Sequence, residues 1–167
     1  MNTSPARGGL FIVVEGPNGV GKTTTAALLA DQFRALGSRV HETSEPSATP
    51  LGRLVRNGES KLTGRALALA VAADRCVHID TEIRPQLRAG LVVISDRYVQ
   101  SSLVLQRLDG LLQEEIWQYN CHVLPPSLSC YMRHTPEELE KRLAGRDRWS
   151  RLEQIGSPRR ELDLYEE

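Results

Sequence analysis

The residues most able to do chemistry in this 167-residue sequence begin with a glycine-rich segment near the N-terminus. The phosphate-binding pattern GxxxxGK[ST] is matched by Gly16, Pro17, Asn18, Gly19, Val20, Gly21, Lys22 and Thr23, and Thr24 follows. Backbone N–H groups of such a loop surround phosphates, the lysine reaches the β- and γ-phosphates, and the threonine hydroxyl binds Mg²⁺. The glycine order GxxGxG differs from the GxGxxG of dinucleotide-binding loops. Residues 16–24 therefore predict a site for ATP with Mg²⁺.

A second polar group follows the apolar run of residues 91–95. Asp96 ends this run, and an acid at that position lies opposite a phosphate loop and holds Mg²⁺ directly or through water. Many buried strands end in Asp, so Asp96 alone is a weak signal. Arg97 comes next and is predicted to lie at the mouth of the same cleft, with a surface ion pair as the alternative.

The spacing of apolar residues predicts the elements that must position these groups. We expect strands at residues 10–15, 39–43, 91–95 and 127–133, and helices at 22–36, 50–58, 63–89, 98–108, 111–121 and 136–145, with a last helix from about residue 159. Pro85 is expected to bend the long helix near its end. Short apolar strands that alternate with helices predict a parallel sheet of about four strands with helices on both faces. Together with the phosphate loop, this pattern predicts a three-layer αβα fold of the P-loop NTPase class. Ligands bind at the carboxyl ends of such strands.

Composition excludes several classes of protein. The length fits a single domain. Lys+Arg and Asp+Glu are both 21, so no large basic surface for duplex nucleic acid is expected. Only 5% of residues are aromatic, which disfavours a stacking platform for single strands. Apolar runs are too short to span a membrane.

The cysteines and histidines show no metal-ligand spacing. Cys76, Cys121 and Cys130 form no CxxC pair, which predicts buried free thiols in the reducing cytoplasm. The four histidines are scattered, so no metal bound by protein ligands alone is expected.

Arginine greatly outnumbers lysine, with 18 arginines against three lysines. A GC-rich genome would produce this bias, and so would a need for guanidinium groups that bind phosphates bidentately. Composition alone does not distinguish these explanations, whereas the positions of the arginines in the fold do.

Several motifs in order resemble the thymidylate kinase family over about residues 10–165. They are VVEGPNGVGKTT, TSEP followed by TPLG, AADRCVH, ISDRYVQSSL with a later Gln, and PPSLSCYMRHTPEE. The resemblance implies transfer of the γ-phosphoryl group of ATP to a nucleoside 5′-monophosphate, most specifically dTMP, by a homodimer. It also implies that the long Ala- and Leu-rich helix builds the dimer, although its apolar residues equally suit a core.

The resemblance also implies roles for individual residues. Arg97 would hold the acceptor phosphate and Arg75 would hydrogen-bond the base. The acceptor side would be lined by Glu45, Pro46, Arg56, Val71, Ser101, Ser102 and Leu105. Residues 146–158 resemble a lid that closes on ATP, whose arginines Arg146, Arg148 and Arg151 would supply charge to the transition state. A mobile arginine-rich segment suits phosphoryl transfer, although a solvated basic loop has the same composition.

The sequence departs from the family at four positions. Val71 replaces a phenylalanine that stacks on thymine, and Leu105 replaces a tyrosine near the sugar 2′ position. Asn18 replaces the acid of the phosphate loop, and Ser44 replaces the arginine before Glu-Pro. The last strand and helix of the family are expected to be missing from this sequence.

These departures leave three functions open. The chain could be a thymidylate kinase, or a kinase for another nucleotide, nucleoside or small metabolite. A nucleotide-binding relative without catalysis is the third.

Overall fold

A computed structural model describes residues 8–145 and 151–167 of the chain. Within these residues the strands are β1 (Leu10–Glu15), β2 (Val40–Ser44), β3 (Val92–Asp96) and β4 (Leu128–Tyr131). They form one parallel sheet in the order β2-β3-β1-β4. The predicted four-stranded parallel sheet is confirmed.

Helices connect the strands and flank the sheet. They are α1 (Lys22–Ala35), α2 (Pro50–Gly58), α3 (Gly64–His78), α4 (Arg84–Arg88), α5 (Val99–Leu108), α6 (Gln113–Tyr119), α7 (Pro136–Ala144), α8 (Arg151–Ile155) and α9 (Pro158–Glu166). Among the described residues, no helix has the length and apolar character needed to cross a membrane.

The core lies on both faces of the sheet because successive side chains of β1 point to opposite sides. Phe11 and Val13 pack with Ile79 and Ile83, which follow α3. The alternate residues of β1 and β3 pack against α1 on the other face: Ile12, Val14, Val92 and Ile94, against Ala26 and Ala30. This arrangement confirms the three-layer αβα architecture.

The long predicted helix is continuous but irregular. After α3 the chain forms a π-helical turn at Ile79–Ile83 before α4 begins. Pro85 has no N–H to donate within the helix, and just before it the Arg84 N–H bonds back five residues to the Ile79 carbonyl. The irregularity therefore comes before Pro85, one turn earlier than the predicted bend.

The three cysteines are free, as predicted, but their predicted burial is wrong. Cys76 and Cys121 are exposed and Cys130 is half-buried. Cys76 lies on the outer face of α3, whereas the apolar residues of the opposite face point inward.

The register of the sheet aligns the ends of the strands that matter for chemistry. Val14 of β1 and Ser44 of β2 are both paired with Asp96 of β3. The loops that follow these strands therefore emerge side by side at the carboxyl edge of the sheet.

Candidate active site

The glycine-rich loop connects β1 to α1, as its motif requires. Gly16, Gly19 and Gly21 have φ values of 143°, 83° and 102°, a region that favours glycine. A Cβ atom on Gly16 would lie 2.3 Å from the carbonyl oxygen of Met132, so this position also needs the missing side chain. The loop therefore takes a path that only this glycine pattern allows.

Lys22 is folded back over the loop. Its Nζ donates hydrogen bonds of 2.8 Å to the carbonyl oxygens of Gly16 and Pro17, and the residue is only 5% exposed. Burial, helped by the nearby Arg97, lowers the pKa of Lys22 to about 7, although neighbouring carboxylates oppose the shift. An anionic phosphate in the loop would supply the charge that stabilises the ammonium form.

Thr23 and Asp96 come together at the start of α1 and the end of β3. The Thr23 hydroxyl donates to Asp96 Oδ2 at 2.5 Å. The other carboxylate oxygen of Asp96 is buried and has no hydrogen-bond partner among the described residues. A hydroxyl and a carboxylate with a free oxygen are the hard oxygen donors that Mg²⁺ prefers, so these residues fit the predicted magnesium ligands.

Arg97 has a left-handed backbone, with φ of 76°. This conformation is costly for a residue other than glycine and is found where the surroundings enforce it. The Arg97 N–H donates to the Val14 carbonyl at 3.0 Å, and the Ser95 hydroxyl donates to the Arg97 carbonyl at 2.7 Å. The guanidinium donates to Asn18 Oδ1 at 2.5 Å and to the Ser101 hydroxyl at 3.1 Å. Arg97 is thus fixed between the phosphate loop and α5.

Glu15, the last residue of β1, caps α5 from another element. Its buried carboxylate accepts the N–H groups of Tyr98 at 2.6 Å and Ser101 at 3.2 Å, and the Ser101 hydroxyl at 2.7 Å. Burial raises the pKa of Glu15, and these hydrogen bonds and the nearby Arg97 partly offset the rise. This role of Glu15 was not predicted from the sequence, although an acid that ends an apolar strand is the available signal.

A cavity of about 250 Å³ lies between α2, α3, α5 and α8. Eight of the nine predicted acceptor-side residues line it: Glu45, Pro46, Val71, Arg75, Arg97, Ser101, Ser102 and Leu105. The ninth, Arg56, is not among its lining residues. The Arg56 guanidinium instead donates to the Pro46 carbonyl and, at 3.4 Å, to the Ser44 hydroxyl.

Arg75 is the most constrained cation of this cavity, and it is 2% exposed. Its Nε donates to Glu45 Oε2 at 2.7 Å, and one terminal nitrogen donates to Asn120 Oδ1. The other terminal nitrogen donates to the Ser102 hydroxyl at 2.9 Å, and the guanidinium lies 5.5 Å from the ring centroid of Tyr98. These contacts hold the guanidinium plane rigidly and neutralise it with Glu45.

Aliphatic side chains form one wall of the same cavity. Val71 and Leu105 pack there with Val55, Leu67 and Leu152. Val71 and Leu105, two of the four positions at which the sequence departs from the family, therefore lie together and make this wall aliphatic.

Gln106 also lines this cavity, although its role was not predicted from the sequence. It is buried, and its Oε1 has no hydrogen-bond partner among the described residues. A buried unpaired acceptor can be satisfied by an N–H group of a bound base.

A second cavity of about 360 Å³ lies over the glycine-rich loop. It is lined by Gly19, Gly21, Lys22, Thr23, Thr24 and Asp96. Asn18, Arg97 and Glu153 line both this cavity and the first. Two anionic ligands could therefore meet end to end at Arg97.

The predicted lid arginines are only partly described. Arg146 and Arg148 lie outside the described residues. Arg151, in α8, binds both carboxylate oxygens of Asp109 at 2.7 and 2.8 Å and also donates to the Glu59 carbonyl at 3.1 Å. It is not among the lining residues of either cavity, so its role in the transition state stays a prediction.

The family model for thymidylate kinase matches residues 14–160. The chain belongs to the thymidylate kinase family. A "Probable thymidylate kinase" of Pyrobaculum calidifontis is 40% identical over 93% of this chain and 80% of its own length. One of Caldivirga maquilingensis is 38% identical over 82% and 69%, and the "Thymidylate kinase" of Leifsonia xyli subsp. xyli is 38% identical over 92% and 77%.

The ion pair between Asp109 and Arg151 predicts a pH-dependent contribution to stability. The Arg151 hydrogen bonds lower the pKa of Asp109 below its ordinary value. A lowered pKa stabilises the fold at pH values above the unfolded-state value of about 3.9, and this stabilisation is lost as pH falls through the folded-state value. Asp109→Asn should therefore lower the free energy of unfolding by about 1–2 kcal/mol at pH 7, and by progressively less as pH falls below the unfolded-state value.

Urea unfolding at several pH values would measure this difference. Asp31→Asn is the matched control, because Asp31 pairs with Arg34 while 70% exposed. A constant difference between wild type and Asp109→Asn across the whole pH range would contradict the assigned ion pair.

Proposed function

We propose that this protein phosphorylates dTMP with ATP, giving dTDP and ADP. The observation that carries the proposal is that two cavities, one over the phosphate loop and one lined by the acceptor-side residues, meet at Asn18, Arg97 and Glu153. Membership of the thymidylate kinase family supports the same reaction.

On the donor side, ATP would bind with its β- and γ-phosphates in the loop of residues 16–24. The backbone N–H groups and the start of α1 provide positive charge there, and Lys22 would exchange its carbonyl partners for phosphate oxygens. Thr23 and Asp96 would hold Mg²⁺, which supplies neutralisation of the phosphate charge when bound.

On the acceptor side, Arg75, Ser102 and Gln106 would face the base, and Arg97 would bind the 5′-phosphate. One oxygen of that phosphate attacks the γ-phosphorus in line, and the bond from the γ-phosphorus to the bridging oxygen of ADP breaks. Arg97 binds the attacking phosphate and lies beside the transferring group, so it screens the repulsion between two anions.

The remaining roles extend the same proposal. Residues 146–158 would act as the lid of a single kinase domain, with Arg148 contributing charge to the transition state. Arg151 would also contribute charge to the transition state, after its hydrogen bonds to Asp109 are replaced by bonds to a phosphate oxygen. A cytoplasmic location stays a prediction from the cysteine pattern.

Phosphorylation of a nucleotide panel tests the proposed function. Wild type should convert dTMP with a higher kcat/KM than dUMP, dCMP, dGMP or dAMP. Lys22→Ala should lower kcat/KM at least about a hundredfold while the protein keeps its fold, whereas Lys61→Ala, at an exposed lysine, should have no effect. Equal turnover of all five nucleotides would reject dTMP as the preferred acceptor, and turnover of thymidine in place of dTMP would reject the monophosphate class.

The aliphatic wall of the acceptor cavity predicts that an aromatic substitution at Val71 will improve dTMP binding. Val71→Phe would restore an aromatic ring beside the base, worth about 1 kcal/mol, and should lower the dTMP KM about fivefold. Leu54→Phe, at an exposed position of α2, is the control and should leave this KM unchanged. Steady-state kinetics with dTMP varied would measure both, and a KM that does not fall would argue that the base lies elsewhere in the cavity.

We also propose that two copies of this chain pair through α3. Ala66, Leu69, Ala73 and Cys76 are exposed at helical spacing along this helix, and Leu69 is 51% exposed. Leu69→Glu should convert a dimer into a monomer in sedimentation experiments, and Leu36→Glu, at an exposed residue next to α1, should not. A wild type that sediments as a monomer would contradict the pairing.

A further inference from the structure

We propose that Glu161 of α9 is a positioning residue for this reaction, because through Asn18 it orients Arg97 at the junction of the two cavities. The proposal rests on the proposed function, since it concerns the residue assigned to the acceptor phosphate. The α9 helix contributes no lining residue to these two cavities in the part of the chain that the structure describes. The proposal gives this helix a role in acceptor binding.

The contacts form a short chain from α9 to Arg97. Glu161 Oε2 accepts the backbone N–H of Asn18 at 2.7 Å, and Oε1 accepts the Asn18 side-chain Nδ2 at 2.9 Å. Asn18 Oδ1, at the other end of the same amide, accepts from the Arg97 guanidinium at 2.5 Å. The side chain of Asn18 therefore joins Glu161 to Arg97.

The two charged neighbours determine which way the amide points. An ionised carboxylate can only accept hydrogen bonds, and a guanidinium can only donate them. The NH₂ group of Asn18 must therefore face Glu161, and its oxygen must face Arg97. Glu161 thus ensures that an acceptor, not a donor, is presented to Arg97.

The burial of Glu161 argues that its carboxylate is not an incidental contact. It is 2% exposed, and burying a carboxylate is costly unless its oxygens are hydrogen-bonded. The next residue, Leu162, is a typical buried residue of this helix, because it is apolar and packs in a cluster with Val20 and Leu139. At position 161 the helix instead presents a carboxylate beside a loop built for phosphate.

A second residue of α9 supports the other side of Arg97. Tyr165 lies one turn after Glu161, and its hydroxyl donates to Glu15 Oε2 at 3.2 Å and lies 3.4 Å from the Ser101 hydroxyl. That Ser101 oxygen accepts from the second terminal nitrogen of Arg97 at 3.1 Å. Glu161 and Tyr165 of α9 therefore contact Asn18 and Ser101, the two residues that accept hydrogen bonds from the terminal nitrogens of Arg97.

Glu161→Gln tests the role, because a glutamine amide can donate to Asn18 Oδ1 and turn it away from Arg97. Glu166→Gln is the matched control on the same helix, since Glu166 is half exposed and pairs with Arg133 at the surface. A double variant combines Glu161→Gln with Asn18→Asp. Its new carboxylate at position 18 can accept hydrogen bonds both from the introduced amide at position 161 and from Arg97. The measurements are dTMP affinity by calorimetry, KM for dTMP and for ATP, and thermal melting.

We expect Glu161→Gln to weaken dTMP binding about fivefold or more and to raise the dTMP KM equally, while the ATP KM stays within about twofold. The double variant should return dTMP affinity to within about twofold of wild type. A purely structural carboxylate would lower the melting temperature without this selective effect on dTMP.

The proposal would be overturned by a dTMP affinity of Glu161→Gln equal to that of Glu166→Gln, or by an ATP KM that rises as much as the dTMP KM. If Glu161→Gln does not fold, Asn18→Ala decides, because it removes the link to Arg97 and leaves the Glu161 carboxylate in place: a selective loss of dTMP affinity with an unchanged ATP KM supports the role, and unchanged dTMP affinity refutes it. A wild type that phosphorylates no nucleoside monophosphate would contradict the proposed function instead, and the two failures are therefore distinguishable.

Discussion

The pairing of β1 with β3 is the constraint on which the site depends. Because Val14 is paired with Asp96, the phosphate loop after β1 and the Asp96-Arg97 turn after β3 leave the sheet at one level. The backbone bond from Arg97 to Val14 then holds the turn against the end of β1. A slip of this register by one residue would send Asp96 to the opposite face of the sheet and separate it from Thr23.

The site contains several buried carboxylates, and each of the three described here has a partner from a different element. Glu15 accepts N–H groups at the start of α5, Glu45 of the loop after β2 neutralises Arg75 of α3, and Glu161 of α9 binds the phosphate loop. Buried charges are costly alone but become rigid when their hydrogen bonds are complete. The protein therefore presents preorganised cations to its anionic ligands, which is what phosphoryl transfer requires.

Glycine spacing and apolar runs predicted the phosphate loop and the strands because they are local signals, whereas the resemblance to the thymidylate kinase family implied most of the residues that line the acceptor cavity. The sequence did not predict the partners of those residues. Asn18 could be recognised as a departure from the family, but nothing near it in the chain indicates that Glu161, 143 residues later, would bind it. Arg151 is a second example, since its position in a basic segment predicts a phosphate ligand but does not indicate its ion pair with Asp109. Contacts between distant residues depend on packing, which composition and periodicity do not encode.

The long sequence separation within the site has a consequence for how the protein matures. Asn18 leaves the ribosome 143 residues before its partner Glu161, and Glu15 leaves it 150 residues before its partner Tyr165. Contacts between distant residues are slow to form, because the entropy of closing a long loop opposes them. A nascent chain thus carries the phosphate loop early in translation, whereas the contacts of Glu161 with Asn18 and of Tyr165 with Glu15 can form only after α9 has been synthesised.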